Sequence, residues 1–369
     1  MGAMDPIWEK ANPQLRDLTA YEPGKPIEET ARERGRSPSE IIKLASNENP
    51  LGPSPRAVEA MRAAAAEANF YPDGGGFALR TALAEKLEVS RESIILGNGS
   101  NEIIEFIGHA FLRPGAEMVT SENAFIAYRL AASLFGARTI EVPDQDYRFD
   151  LEAVADAITA RTRVVFIANP NNPTGTIVSQ EAIDRFIARV PHDIVVVFDE
   201  AYFEYLDNPP DSLRFVRQEH NVVVLRTFSK IHGLAGARVG YGVGRPELVR
   251  LLQKTREPFN INSLAQAGAI AGLADEAHQA AAKRLTSEGR AFLENEFSAL
   301  GLTFVPSVAN FVLLRVGDGK QVFESLLHHG VIVRALTGYN FPEWVRISVG
   351  TPEQNRRCIA ALREVLRLA

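Results

Sequence analysis

VVFIANPNNPTGTIVSQEAIDRFIARVPHDIVVVFDEAY, running from Val164 to Tyr202, contains one full period of an alternating architecture. Residues 164–168 are a short, unbroken apolar run, read as a strand buried on both faces. The segment Asn169-Pro170-Asn171-Asn172-Pro173-Thr174-Gly175 holds two prolines and a glycine, which makes it a rigid loop. Residues 180–190 are amphipathic at helical spacing, and 194–198 are again wholly apolar, ending on Asp199-Glu200-Ala201-Tyr202. Two fully apolar strands joined through a helix predict a parallel pair with the helix lying on the sheet.

Outward from this unit the same texture continues. Residues 94–96, 117–120, 139–142 and 222–225 read as further buried strands, and 101–112, 126–135 and 151–158 as amphipathic helices. The fold class is α/β, with a mainly parallel sheet flanked by helices on both faces. Residues 54–87 are helical in pattern, broken at Tyr71-Pro72-Asp73-Gly74-Gly75-Gly76. After Pro246 the helices lengthen, a strand pair is expected near 311–314 and 331–333, another strand at 345–349, and a last helix at 352–368. The expected organisation is an arm over 1–36 packing with the small domain, a large domain over 37–250 and a small α+β domain over 251–369.

The chain has 369 residues, 46% hydrophobic and 23% charged, long enough for two cores. A net charge of -6 argues against nucleic acid or an anionic membrane as partner. No apolar stretch approaches a membrane span, and the first ten residues, with Asp5, Trp8 and Glu9, do not read as a signal peptide, so a cytoplasmic location is expected. The single cysteine, Cys358, cannot close an internal disulfide and no CxxC pair is present; a packing role is expected for it, and no metal site.

In a parallel α/β sheet, ligands sit where strands end and helices begin. Four strand ends carry polar clusters. Gly97-Asn98-Gly99-Ser100-Asn101-Glu102 offers a glycine turn and a helix start at Ser100 or Asn101, an anion site suited to phosphate; an ordinary capped turn would look the same. The 169–175 loop holds its asparagines rigidly, so that an amide can donate to a phenolate or carbonyl oxygen; it also reads as a plain turn. Asp199 follows five apolar residues, where burial is costly without a cation or protonated ring nitrogen, and Tyr202 can reach the same pocket; a helix-capping Asp is the ordinary alternative. Arg226-Thr227-Phe228-Ser229-Lys230, with Arg238 beyond, places a lysine in a small-residue turn, where desolvation lowers its pKa; most lysines are instead surface charges. Ser229, Thr227 and Arg238 are phosphate donors. Together the four loops supply what pyridoxal 5′-phosphate (PLP) requires: phosphate donors, a carboxylate for the pyridine nitrogen, donors for O3′ and a lysine for the aldehyde.

These residues resemble the fold-type-I PLP aminotransferases of classes I and II over nearly the whole chain. Asn-Asn-Pro-Thr-Gly at 171–175, Asp-Glu-Ala-Tyr at 199–202 and Ser229-Lys230 with Arg238 carry the resemblance. The runs at 21–26, 44–52, 70–73 and 345–350 resemble the histidinol-phosphate aminotransferase branch. The resemblance implies that Lys230 forms the Schiff base and moves the proton between Cα and C4′, and that Asp199 pairs with the pyridine nitrogen. It further implies that Asn172 and Tyr202 hold O3′, and that Ser100, Asn101, Ser229 and Arg238, with Thr227 a weaker candidate, bind the phosphate. Phe125 would stack on the ring, although Asn123-Ala124 before it depart from the family's usual Pro-Thr. Tyr71 resembles a tyrosine that reaches the neighbouring subunit's cofactor, which implies a homodimer with shared sites. Arg346 resembles the arginine that holds the substrate's acidic group, with Arg334, Tyr21 and Asn172 as further substrate contacts.

The implied reaction is ping-pong transamination of histidinol phosphate against 2-oxoglutarate and glutamate, in histidine biosynthesis. An aromatic amino acid aminotransferase shares the motifs, and a PLP decarboxylase is possible on the same scaffold. From other classes, the Gly97-Asn98-Gly99 turn could open a dinucleotide-binding dehydrogenase, with Glu122 as ribose acid, or the chain could be a non-catalytic PLP-fold sensor. The third glycine of a dinucleotide fingerprint is missing, and no DNA-reading extension is visible.

Overall fold

The structure, a computed structural model, describes residues 5–16, 18 and 24–368. Leaving aside β1 (Ile42–Lys43), the central sheet consists of β2 (Ile94–Gly97), β3 (Glu117–Ser121), β4 (Arg138–Val142), β5 (Thr162–Ala168), β6 (Val195–Asp199), β7 (Val222–Thr227) and β8 (Gly240–Gly244). Its seven strands run in the order β2-β8-β7-β6-β5-β3-β4. From β7 to β4 every pair is parallel, and β8 is antiparallel to both of its neighbours. Every residue of β2, β3, β6, β7 and β8 is buried, as expected of strands covered on both faces.

The sequence reading lacked β8. Gly240-Tyr241-Gly242-Val243-Gly244 has poor strand propensity, yet these glycines answer a packing demand. A Cβ on Gly240 would lie 2.4 Å from the Ser100 backbone nitrogen, so only glycine lets this strand pass beneath the helix Ser100–Phe111.

The second unit is built on β9 (Phe304–Val305), β10 (Phe311–Arg315), β11 (Val331–Ile332), β12 (Arg334–Leu336) and β13 (Phe341–Ser348). β12-β13-β10-β9 form an antiparallel sheet, while β11 pairs in parallel with β1. The expected pairing of 311–314 with 331–333 is therefore incorrect: β10 lies between β13 and β9, and β11 leaves that sheet for β1.

The packing also corrects the domain limits. Ile261, Ala265, Ala269 and Leu273 belong to the large core, because the helix Ser263–Ala274 packs on the helix Pro55–Ala65; Gly268 allows Met61 to approach. The large unit thus extends well beyond residue 250. At the other end Ile42 and Leu44 lie in the small core with Val312, Val331 and Ile347, although the expected boundary puts them in the large domain. Ala31, Ile41 and Leu327 form a satellite cluster, which docks residues 27–34 on the small unit, whereas Gln14 bonds to the Leu134 carbonyl of the large one. Among the described residues of the 1–36 arm, contacts are therefore made to both units. Cys358 is fully buried in the small core, and burial pushes its thiol up to about 12. Among the described residues no helix is long and apolar enough to cross a membrane.

Candidate active site

A cavity of about 290 Å³ opens at the carboxyl ends of β2, β5, β6 and β7 and is closed on its far side by the small unit. Ser100, Asn101, Phe125, Asn172, Asp199, Tyr202, Thr227, Ser229, Lys230, Arg238, Arg334 and Arg346 all line it. The four loops that the sequence singled out therefore converge on one space.

The anion end is made by the start of the helix Ser100–Phe111. Gly99 precedes it at φ 81, in the left-handed region, and a Cβ there would sit 2.4 Å from the Arg238 guanidinium. Arg238 is itself left-handed (φ 58), and its guanidinium donates to Ser229 Oγ at 3.4 Å and to the Ala235 and Asn98 carbonyls. Free helix N–H groups, a serine hydroxyl and a guanidinium thus share one corner. Asn101 is exposed and its amide donates to Glu105, so its contribution is limited to its place in the first helical turn. Thr227 Oγ1 accepts from the Ser229 N–H and shapes the turn.

Asp199 ends β6 and is buried. Burial raises its pKa, opposed by the Tyr128 hydroxyl, which donates to Oδ2 at 2.7 Å, and by the Ala201 N–H. Tyr128 was missed by the sequence reading. It lies on the helix Ile126–Leu134, stacked on Phe166 at 4.6 Å and edge-on to Phe125 at 5.7 Å, and its only sequence signal was one polar atom on an otherwise apolar helix face. Glu200, Asp199's neighbour, turns away to a buried ion pair with Arg226 at 2.8 Å.

Lys230 donates to the Ser46 carbonyl at 3.2 Å. Burial, reinforced by Arg346 and Arg238 and opposed by Glu48, lowers its pKa from 10.5 to about 8. Tyr202 is pushed up to about 12 by burial, so its phenol stays protonated, and its oxygen accepts from Asn47 Nδ2 at 2.9 Å. Asn171 Nδ2 bonds to the Asn123 carbonyl at 3.1 Å, fastening the Phe125 loop to the Asn172 loop.

The small unit contributes two arginines. Arg334 and Arg346 are directly opposed across β12 and β13, and both face the cavity. Arg346 is buried, donating to Asn172 Oδ1 and, at 2.7 Å, to the Ala45 carbonyl. Tyr71 does not line this cavity: it is 82% exposed and stacks on Phe259 at 4.8 Å. Tyr21 lies outside the described residues. The dinucleotide alternative is overturned, since β2 is an edge strand antiparallel to β8 and opens no parallel βαβ unit.

The family model described as aminotransferase class I and II matches residues 39–362. The chain is 55% identical over 357 residues to a histidinol-phosphate aminotransferase of Akkermansia muciniphila, covering 96% of this chain and 98% of that one. It is 48% identical over 361 residues to that of Moorella thermoacetica, covering 97% and 93%. The crystal structure of histidinol-phosphate aminotransferase from Sinorhizobium meliloti in complex with pyridoxal-5′-phosphate superposes with a TM-score of 0.89 at 30% identity, covering 97% of this chain and 98% of that one. The chain belongs to the class I and II aminotransferases, in their histidinol-phosphate aminotransferase branch.

Proposed function

We propose that this protein transfers the amino group of histidinol phosphate to 2-oxoglutarate, using PLP held at Lys230. One observation carries the choice of an acidic, phosphate-bearing substrate: Arg334 and Arg346 stand opposite each other on the cavity wall that faces Lys230. Two guanidinium groups on one wall match a phosphate dianion, each able to donate to its oxygens.

The residues fit the cofactor. Ser100, Ser229 and Arg238 offer donors to its phosphate at the helix start, where Gly99, having no Cβ, lets the Arg238 guanidinium lie close against the turn. Asp199 would pair with the ring nitrogen, Phe125 would stack on the ring, and Asn172 and Tyr202 would reach O3′. When bound, PLP supplies an electron sink for the charge left at Cα. Lys230, with its pKa lowered to about 8, is partly the free amine near neutral pH, ready to act as nucleophile and as carrier of the Cα proton. Arg346 would orient the substrate's acid, and its bond to Asn172 links that grip to the O3′ side of the pocket.

Tyr71, exposed on a loop away from its own chain's cavity, is read as completing the phosphate site of a second copy, making the protein a homodimer with shared sites. The test is a steady-state comparison of kcat/KM on histidinol phosphate and on phenylalanine. Preference for histidinol phosphate is expected, and preference for phenylalanine would replace this reading with an aromatic aminotransferase. A visible absorption band after loading with PLP, lost in Lys230→Ala, is the accompanying check on the cofactor.

A further inference from the structure

Asn47 belongs to none of the four loops, yet it is buried on the cavity wall with all of its polar groups engaged. Its backbone is left-handed (φ 55), a conformation that asparagine tolerates better than most side chains. Its N–H donates to Ser348 Oγ at 2.9 Å, and the Ser348 hydroxyl donates back to Asn47 Oδ1 at 2.9 Å. Its carbonyl accepts from Asn310 Nδ2 at 2.9 Å, and its own Nδ2 donates to the Tyr202 hydroxyl oxygen at 2.9 Å.

These bonds have a direction that can be followed proton by proton. The Ser348 oxygen already accepts from the Asn47 backbone, so its one hydrogen is available and goes to Oδ1. That turns the amide nitrogen toward Tyr202. An amide NH2 cannot accept, so the hydrogen of Tyr202 has to be spent elsewhere, and Tyr202 borders the cavity, its ring centroid 5.6 Å from Lys230 Nζ. With the amide reversed, Tyr202 would give its hydrogen to Oδ1 and turn only lone pairs toward an anionic cofactor oxygen.

We propose that Asn47, oriented by Ser348, is a positioning residue that makes Tyr202 a hydrogen-bond donor into the pocket, toward O3′ of the cofactor. The inference rests on the PLP reading above. It also gives β13 two tasks on one face, since Ser348 lies two residues beyond Arg346.

The test uses the cofactor-loaded protein without substrate and reads the pH midpoint of its visible absorption band. A hydroxyl donating to O3′ withdraws negative charge from the oxygen that helps hold the proton on the lysine nitrogen joined to the cofactor, so losing the donor raises the midpoint. Asn47→Asp keeps the shape but can only accept, which captures the Tyr202 hydrogen; a rise of about one pH unit is expected. Asn47→Gly keeps the left-handed backbone, deletes the amide and gives a smaller rise. In a Tyr202→Phe background the Asn47→Asp rise should shrink to the part due to charge alone, less than half. Equal rises in both backgrounds, or no rise in either, overturn the proposal. Should Asn47→Asp fail to fold, Ser348→Ala, which frees the amide to turn, carries the same comparison. Absence of any band in the unaltered protein defeats the PLP reading instead, so the two failures are distinguishable.

Discussion

At Lys230, burial and the neighbouring Arg346 and Arg238 lower the pKa from 10.5 to about 8, so at pH 7 the cofactor-free fold holds a charge more easily carried by the unfolded chain. Because the folded value lies below the unfolded one, the stability this lysine contributes is complete above pH 10.5 and is lost as pH falls to 8. Cofactor-free Lys230→Met should therefore be more stable than the unaltered protein at pH 7, by up to about 3 kcal/mol, with the advantage vanishing near pH 10.5. Denaturant midpoints at the two pH values measure this; an equal gain at both would place the effect in packing rather than charge. Tyr128 acts in the opposite sense on Asp199, its hydroxyl favouring the charged carboxylate against the burial that raises its pKa. Tyr128→Phe should weaken PLP binding about tenfold, the worth of one hydrogen bond to a charged group, with KM for the amino donor little changed. Lys230 and Asp199 could be read from the sequence because Asp199 closes an apolar strand and Lys230 lies in the small-residue turn just after one. Tyr128 and Asn47 could not, because their partners, 71 and 155 residues away, are brought to them only by the fold.

At the scale of elements, the parallel strands β5, β6 and β7 announce themselves as apolar runs because both faces are buried, whereas β4 lies at the sheet edge with only Val142 buried. β8 does not, because its glycines serve the closeness of the sheet to the helix start rather than strand propensity. Gly240→Ala should consequently displace the Ser100 end of that helix, destabilising the protein by about 1–3 kcal/mol and weakening PLP binding. Gly244→Ala, on the same strand but with its nearest neighbour, the Val222 carbonyl oxygen, 3.3 Å from the new Cβ, should cost clearly less in thermal melts. Similar losses from both would mean that strand propensity alone, and not the crowding at Ser100, explains the glycines.

For the whole molecule, the site is assembled from two units, with Lys230 and Asp199 at strand ends of the large sheet, Arg334 and Arg346 on the small sheet, and Tyr202 in a cluster with Ile231 and Phe311 where the two meet. If Tyr71 completes a second copy's site, mixing inactive Lys230→Ala chains with impaired Tyr71→Ala chains should raise activity above that of either parent, through hybrids carrying one intact site. No recovery after verified subunit exchange would confine Tyr71 to its stacking on Phe259. By itself the sequence determined the α/β class and the polar strand ends, Lys230 among them, that converge on one cavity, because apolar periodicity and turn chemistry are local properties. Tertiary structure alone decided that residues 42–44 cross to the small core, that residues 261–273 stay in the large one, and that two arginines meet across β12 and β13. Those outcomes depend on which buried face finds which partner, a pairing between distant segments that no local pattern records.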